Sequence, residues 1–354
     1  MAFEVLKETM SPLPFLTSAL PGIGGVLKQD PEDFVVEEIP AYEPAGDGEH
    51  LFLWIEKRGV AAEQLSRHIA QTLKLKPMDV GVAGLKDRHA VTRQFVSVPA
   101  KSCPNPAALA TEDIRVLAFE RHTNKLKTGH LRGNRFEIVL RDTHADAADL
   151  ATPIATELSR LGFPNYYGDQ RFGRDGDNLQ LGLQLLRGEK SADDIPRSRR
   201  KFLLRFALSA VQSELFNRTL ANRLNDGKIA EVLLGDVMQV VATGGLFVVE
   251  DQPHEQSRFD AGEIVSTGPM FGPKMRQPTG EPAEWETQVL QEAGLDETFF
   301  RRFSKLTPGT RRAFLIRPHD LKCDATENGM RFQFVLPSGV YATTLLREFQ
   351  KPTA

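Results

Sequence analysis

Strand-like alternation of apolar and polar residues occurs in two separate blocks of this chain and constrains its fold more than any other feature. The alternating segments are residues 94–98, 114–119 and 134–141 in the first block, and 312–317 and 331–336 near the end. A period of two is typical of strands with one buried face. Strands from both blocks can share one sheet only if the residues between them form an insertion. The sequence therefore predicts an α+β fold, a sheet domain interrupted by a more helical domain.

Five segments have the apolar spacing of amphipathic helices. They are residues 61–74, 146–161, 178–187, 201–224 and 341–349, and the fourth is the longest predicted helix. The polar segment RGEKSADDIPRSRR (187–200) has no apolar period and predicts a linker. GPMFGPKMRQPTGEP (268–282) is rich in glycine and proline and predicts a loop. Its first part, GPMFGPKM (268–275), superficially resembles a phosphate-binding loop, but its two prolines and the lack of a preceding strand favour a rigid surface loop.

The composition restricts the class of protein. With 41% hydrophobic and 26% charged residues over 354 positions, the chain is globular, and its length predicts roughly two domains. Two cysteines are too few for a disulfide framework, so we expect a reducing compartment, the cytoplasm. No apolar run reaches the roughly 18 residues of a membrane helix, and residues 1–10 contain two glutamates where a signal peptide is basic. The pattern predicts no metal site, and we expect a monomer.

The formal net charge is only −3, but the charges are segregated along the chain. Lysines and arginines concentrate at 121–141, 197–205 and 301–317, which contain six, five and six of them. Residues 241–300 instead contain eleven acids and three bases, and we expect them to lie away from a polyanionic ligand. Each basic run alone is consistent with an ordinary solvated face. Three such runs with aromatic residues among them favour a nucleic-acid groove.

Residues 83–95, AGLKDRHAVTRQF, contain the densest group of chemically active side chains. A glycine follows a short apolar run, and Lys86, Asp87, Arg88 and His89 then stand in succession. Neighbouring cations favour the charged form of a carboxyl group, so Asp87 is a candidate nucleophile or base. A Lys-Asp pair after a strand is also typical of a turn or a helix N-cap, and the residues alone leave both interpretations open.

Five segments of the chain, this one included, resemble sequence elements of the tRNA pseudouridine synthase D (TruD) family. In chain order they are KQDPEDFVVEE (28–38), AGLKDRHAVTRQ (83–94), GNRFEIVLR (133–141), PNYYGDQRFG (164–173) and LPSGVYATTLLREF (336–349). They extend over most of the chain in the order of the family's elements. Five matches in one order are far more specific than any single motif.

The resemblance implies a fold, a reaction and a partner. The fold is a pseudouridine-synthase-type catalytic domain with a mixed, mostly antiparallel sheet, formed by residues 1–160 and 309–354, with an inserted α/β domain, the TRUD domain, at 161–308. The reaction is the conversion of uridine 13 of tRNA to pseudouridine, without cofactor or metal. It breaks the C1′–N1 glycosidic bond, turns the uracil and rejoins it through C5.

On the family pattern Asp87 is the catalytic aspartate, which either attacks the sugar C1′ or removes the 2′ proton. Both routes need an ionised carboxylate, and therefore a neighbouring cation. Lys28 and Lys86 are the two candidates for that cation. We favour Lys28, because adjacent residues on an extended segment point to opposite sides. Lys86 is then either a surface lysine or one that contacts the substrate.

Three further residues match family positions that contact the target base. A base inside folded tRNA must leave its stack, and the enzyme must replace the lost stacking. Tyr341 matches an aromatic position against the uracil. Phe136 matches another aromatic, although its alternation with apolar neighbours is equally consistent with a core residue. Asn134 is placed to bond a uracil carbonyl group, or else to close a turn.

Contacts to the rest of the RNA are predicted from two regions. Arg132 and Arg135 belong to the first basic run. Gln170 and Arg171 belong to the PNYYGDQRFG segment, which opens the inserted domain of the family. They are candidates for RNA or interdomain contacts, while a hinge that packs the aromatic residues of this segment is an equally good interpretation.

Two other functions are consistent with parts of the sequence. A non-enzymatic RNA-binding protein with the same fold would not require Asp87, because a carboxylate repels phosphate. An aspartate-dependent glycosidase normally has two carboxylates facing one bond. The element around Asp87 contains no second acid. Both alternatives are therefore weaker than the pseudouridine synthase.

Overall fold

The structure is a computed structural model that describes residues 13–173 and 176–351. The prediction that residues 1–10 do not form a signal peptide falls outside these residues, as do residues 352–354 at the end of the predicted catalytic domain. No helix within the described residues is long and apolar enough to cross a membrane.

The helices and strands follow one another in three groups. The first comprises β1 (Gly24–Val26), β2 (Phe34–Pro40), β3 (His50–Arg58), α1 (Ala62–Thr72), β4 (Gly81–Val82), β5 (Val91–Pro99), β6 (Ile114–His122), β7 (Leu131–Thr143) and α2 (Ala147–Leu161). The second comprises β8 (Phe163–Pro164), α3 (Asp177–Arg187), α4 (Arg197–Asn225), β9 (Val237–Val240), β10 (Leu246–Val248), α5 (Gln252–Asp260), β11 (Ile264–Met270), α6 (Gly280–Glu292), α7 (Glu297–Arg301), β12 (Thr310–Ala313) and β13 (Leu315–Ile316). The last comprises β14 (His319–Thr326), β15 (Gly329–Pro337) and α8 (Ala342–Gln350).

Strands from both ends of the chain form one sheet of nine strands. Its order is β14-β15-β7-β2-β5-β3-β6, with β1 added beside β7 and β4 beside β5. Only β2 and β5 are parallel among the strand pairs of the described residues. The predicted α+β fold with a mixed, mostly antiparallel sheet is thereby confirmed.

Alternating apolar residues place one face of this sheet in the core. On β7, Phe136, Ile138 and Leu140 are all buried, as the period of two requires. On β3, Leu51, Leu53 and Ile55 are buried and belong to the same apolar cluster as residues of α1. The sheet thus positions the ends of β2, β3, β5 and β7, which carry the site described below.

The residues between the two blocks form several helices and a second, four-stranded sheet, of order β10-β9-β11-β12. The predicted longest helix is confirmed as α4, with 29 residues. It begins at Arg197, so the RSRR of the predicted linker is helical. At Gly182 in α3, a side-chain carbon would stand 2.3 Å from the carbonyl oxygen of Ala207, so glycine permits the close approach of α3 to α4.

The predicted loop at 268–282 is confirmed for residues 271–279, but it is wrong at both ends, and its surface position is wrong for Phe271 and Met275. Residues 268–270 complete β11, and residues 280–282 begin α6. At Pro269, β11 pairs with β12 on one side only, because β9 pairs with residues 264–266 on the other side and extends no further. A proline is tolerated there, since no strand on the open side needs its missing N–H group. Phe271 and Met275 are buried in an apolar cluster rather than exposed.

The described residues divide into two compact units. We call Leu20–Arg160, Arg317–Ala342 and residues 349–351 the sheet unit. We call residues 13–19, Leu161–Ile316 and Thr343–Glu348 the helical unit. In the helical unit, β12 pairs with β11 and β13 pairs with β8. The catalytic and inserted domains, with boundaries at 160 and 309, stay a prediction.

Candidate active site

Asp87 lies in the loop that joins the antiparallel strands β4 and β5. Strand β4, which leads into the loop, is tightly packed at Gly81. A side-chain carbon there would stand 2.4 Å from both the Leu126 carbonyl oxygen and Ser97 Oγ. Oδ2 of Asp87 is 2.8 Å from Nζ of Lys28, and the carboxylate side chain is 54% exposed. An accessible carboxylate is thus held beside a cation, where a ligand can reach it.

Lys28 is held in an unusual backbone conformation. Its φ is +59°, in the left-handed region that non-glycine residues rarely occupy. Its ammonium also lies 4.1 Å from the centre of the Phe34 ring. Such strained positions cluster at functional sites. Of the two lysines considered from the sequence, Lys28 is the one that contacts Asp87.

A second lysine, which the sequence analysis missed, supports Asp87 from within the sheet. Lys57 of β3 is fully buried, and its Nζ donates hydrogen bonds to the carbonyl oxygens of Asp87, at 2.8 Å, and Val60, at 2.6 Å. Burial lowers the pKa of Lys57 to about 8, while the Asp87 charge acts in the opposite direction. The alternation of β3 contains the signal that identifies it, because Lys57 continues the buried face of Leu51, Leu53 and Ile55.

Lys86 lies beneath the loop rather than at its surface. Its Nζ is 2.7 Å from Oε2 of Glu38, and both side chains are almost wholly buried. Burial raises the pKa of Glu38, and the ammonium of Lys86 opposes this effect. The ammonium of Lys86 is thus engaged in a buried ion pair, and a contact between Lys86 and the substrate stays a prediction.

The predicted base-contacting residues differ in their surroundings. Phe136 is 6% exposed and packs between Phe34, edge to face at 6.2 Å, and Phe334, stacked at 5.3 Å. Oδ1 of Asn134 is buried without a hydrogen-bond partner in the described part of the chain. A buried acceptor without a donor is costly unless a ligand or water supplies one. Tyr341 is half-buried and directly precedes α8.

The four predicted RNA-binding residues fall in both units. Arg132 and Arg135 are exposed on β7, and Arg135 is 3.3 Å from Glu37. In the helical unit Gln170 is exposed. Arg171 instead donates hydrogen bonds to the hydroxyl groups of Ser209 and Ser213 on α4. Arg171 is thus engaged in packing the PNYYGDQRFG segment, whereas the other three present accessible side chains.

Not every charged residue of the basic and acidic runs is exposed at the surface. Arg311, counted in the third basic run, is buried and donates hydrogen bonds to both carboxylate oxygens of Glu286, at 2.7 and 2.9 Å. Glu286 belongs to the acidic stretch. Burial raises the pKa of Glu286, and Arg311 opposes this effect. The two charges therefore stabilise the helical unit in a pair and are unavailable to a ligand.

Within the described residues no group of three or more histidine, cysteine, aspartate and glutamate side chains is arranged to hold a metal ion. At Asp87 the described side chains offer a carboxylate next to an ammonium group. Such a carboxylate acts as a nucleophile or as a base.

Comparisons with known proteins agree with one another. A family model described as tRNA pseudouridine synthase D (TruD) matches residues 13–194 and 196–349. The tRNA pseudouridine synthase D of Anaeromyxobacter dehalogenans is 45% identical over 347 residues, which are 98% of each chain. That of Thermus thermophilus is 41% identical, over 96% of this chain and 93% of its own. The crystal structure of a Methanosarcina mazei protein assigned to TruD matches with a TM-score of 0.76 at 24% identity, over 94% of this chain and 95% of its own, and supports the fold.

Proposed function

Because this chain belongs to the tRNA pseudouridine synthase D family, we propose that it converts uridine 13 of tRNA to pseudouridine, with Asp87 as the catalytic carboxylate. Membership of the family makes the protein an isomerase that modifies tRNA. The observation that supports the role of Asp87 best is its 2.8 Å ion pair with Lys28 in an accessible loop. The carboxylate of this pair is half exposed, so a substrate can reach it.

Two routes are consistent with this arrangement. In the first, Asp87 attacks C1′, the C1′–N1 electron pair leaves with the uracil, and C5 of the turned uracil later displaces the carboxylate. In the second, Asp87 removes the 2′ proton as the uracil leaves and returns it afterwards. Both end with loss of the C5 proton and protonation of N1, so the product is an isomer of the substrate. No cofactor is required, because the electrons of the broken C1′–N1 bond balance those of the new C1′–C5 bond.

Lys28 and Lys57 hold Asp87 through different groups. Lys28 contacts the carboxylate itself, at 2.8 Å. Lys57 contacts the main chain of the same residue and fixes the position of the loop. A nucleophile or base has to be held within a fraction of an ångström of its productive position, and two separate anchors achieve this.

Recognition of the uracil is proposed for Asn134, Phe136 and Tyr341. The free Oδ1 of Asn134 is an acceptor suited to the N3–H group of uracil. The aromatic ring of Tyr341 would replace the stacking that the base loses when it leaves the tRNA helix, and Phe136, buried between Phe34 and Phe334, would support the site from the core. Arg132 and Arg135 would contact phosphates beside the site. Apart from Tyr341, the residues proposed for uracil recognition and phosphate contact all lie on β7.

We assign the catalytic domain to residues 1–160 and 309–354 and the TRUD domain to 161–308. Asp87, Lys28, Lys57 and Asn134 all lie in the sheet unit, which supports a catalytic role for that unit. The PNYYGDQRFG segment packs against α4 and supports the helical unit as the family-specific domain.

The substitution Asp87→Asn tests the proposal. We expect it to abolish tritium release from tRNA that contains 5-tritiated uridine, while the affinity for tRNA stays within a few fold of wild type. Asp47→Asn, at an exposed position of the same unit, is the matched control and should release tritium normally. Release by Asp87→Asn at a near wild-type rate would contradict the role of Asp87. Release by the wild type from a transcript with cytidine at position 13 would contradict the position while leaving the family unaffected.

A further inference from the structure

Aromatic rings and guanidinium groups alternate in a continuous row inside the helical unit. Arg312 lies 4.2 Å from the centre of the Tyr167 ring, and Arg171 lies 5.4 Å from the same ring. Arg171 is also 5.7 Å from the Phe206 ring, which stacks on Phe202 at 5.6 Å with an interplanar angle of 13°. The row ends at Phe202, whose side chain is 68% exposed. A large apolar ring is thus supported from below and open to solvent above.

The row is rigid because its members are held by hydrogen bonds as well as by stacking. Arg171 bonds Ser209 and Ser213, which lie one and two turns beyond Phe206 on α4. The main-chain N–H of Tyr167 donates to Asn217 Oδ1 at 2.9 Å, and Asn217 donates back to the Tyr167 carbonyl oxygen at 2.9 Å. Phe202 therefore presents its ring without the entropic cost of ordering a mobile side chain on binding.

The surface around Phe202 is positive. Arg199, Lys201 and Arg205 are exposed on the same two turns of α4, and none of them has an ion pair within residues 13–173 and 176–351. The nearest acids in sequence are Asp194 and Glu214, at either side of this segment. A surface of this kind repels basic partners and attracts polyanions.

We propose that Phe202 is a stacking platform for an unpaired base of the RNA substrate, with Arg199, Lys201 and Arg205 contacting the adjacent phosphates. Aromatic rings bordered by cations are the recurrent solution for single-stranded nucleic acid, because every base has a face that stacks. The platform rests on the proposed function, since it takes the same tRNA. It extends recognition to the helical unit, which contains none of the residues proposed to contact the target base.

Equilibrium binding to an unmodified tRNA transcript tests the platform. In the Asp87→Asn background, Phe202→Ala should raise Kd at least about fivefold, the lower end of what a lost stacked base costs. Phe202→Trp should bind as tightly as the parent. Phe119→Ala removes the other described aromatic side chain that is more than half exposed, at 58%, and is the matched control. An unchanged Kd for Phe202→Ala, or an equal rise for Phe119→Ala, would overturn the proposal.

Two readouts separate stacking from a structural role. With Asp87 intact, Phe202→Ala should raise KM for the transcript and leave kcat at saturation within about twofold. In Phe202→Trp, tRNA should quench the additional tryptophan emission, and an unquenched signal would overturn the proposal.

A dimer that Phe202→Ala dissociates would assign the surface to a second copy of the chain instead. Wild-type protein that binds tRNA without modifying it would refute the proposed function, and the Kd comparison would still decide the role of Phe202.

Discussion

Replacing the buried lysine beneath the catalytic loop separates its effect on activity from its effect on stability. Lys57→Met keeps a side chain of similar length and removes the ammonium group. The carbonyl oxygens of Asp87 and Val60 then lose this donor, at a cost of about 1–3 kcal/mol each. The variant also avoids burying a charge. The pKa of Lys57 is lowered from 10.5 to about 8, which corresponds to roughly 3 kcal/mol.

The two contributions to the free energy of unfolding largely offset each other, so we expect a net change within about 3 kcal/mol. Activity should respond much more strongly, because Asp87 loses the contact that positions its main chain. A displacement of about 1 Å at a reacting group costs roughly a hundredfold, so kcat should fall about 10- to 100-fold. Lys101→Met, at an exposed position, is the control and should leave both quantities unchanged.

Urea unfolding and single-turnover tritium release on the same preparations measure the two effects. A variant that keeps wild-type kcat would refute the positioning role of Lys57. The pH dependence gives a second check. Between pH 8 and 10.5 the folded protein loses the Lys57 proton while the unfolded chain keeps it, so this group makes wild type more stable as pH rises. Relative to Lys57→Met, wild type should gain about 2–3 kcal/mol from about pH 7 to 10, and a flat difference would show that Lys57 is not buried as a cation.

Three further outcomes are expected. Reversing Arg132 and Arg135 to glutamate should reduce the slope of log Kd for tRNA against log salt by about 1 to 2, and an unchanged slope would place the phosphate contacts elsewhere. Gly81→Ala forces a carbon against the main chain 2.4 Å away, so it should destabilise the protein by roughly 1–3 kcal/mol and lower kcat, and normal thermal unfolding would contradict this packing. Glu286→Ala leaves its arginine partner buried without a counter-charge, so it should lower the free energy of unfolding by about 3–5 kcal/mol, while a destabilisation below about 1 kcal/mol would show that the pair is solvated.

The parts of the fold that follow from the sequence are those where one face of an element is buried. Alternation predicts β7 and β15, because the buried apolar residues of each share a face. It does not predict β14. This is an edge strand whose residues are mostly exposed on both faces, so burial imposes no alternation on it.

The site was predictable where chemistry and family resemblance pointed to the same residue, and not where burial decided. Asp87 and Lys28 stand in motifs and meet at 2.8 Å. Lys86 stands in the same motif as Asp87, and its partner Glu38 ends the motif that Lys28 begins, but only the sheet shows that the two meet as a buried pair. Lys57 is in no motif. The register of β3 with its neighbours aims it at the loop, and register is a property of the whole sheet.

The order in which the strands are synthesised gives β15 a consequence for folding in the cell. β15 pairs with β7 over nine residues, yet about 190 residues of chain separate the end of β7 from it. At about 5–20 residues per second, a ribosome takes roughly 10–40 s to produce that segment. Throughout this interval one edge of β7, which carries Asn134 and Phe136, stays unpaired on the nascent chain. Residues 161–316 of the helical unit can fold in that time, whereas the strand that bears the uracil contacts is exposed to aggregation or to chaperones until β15 emerges.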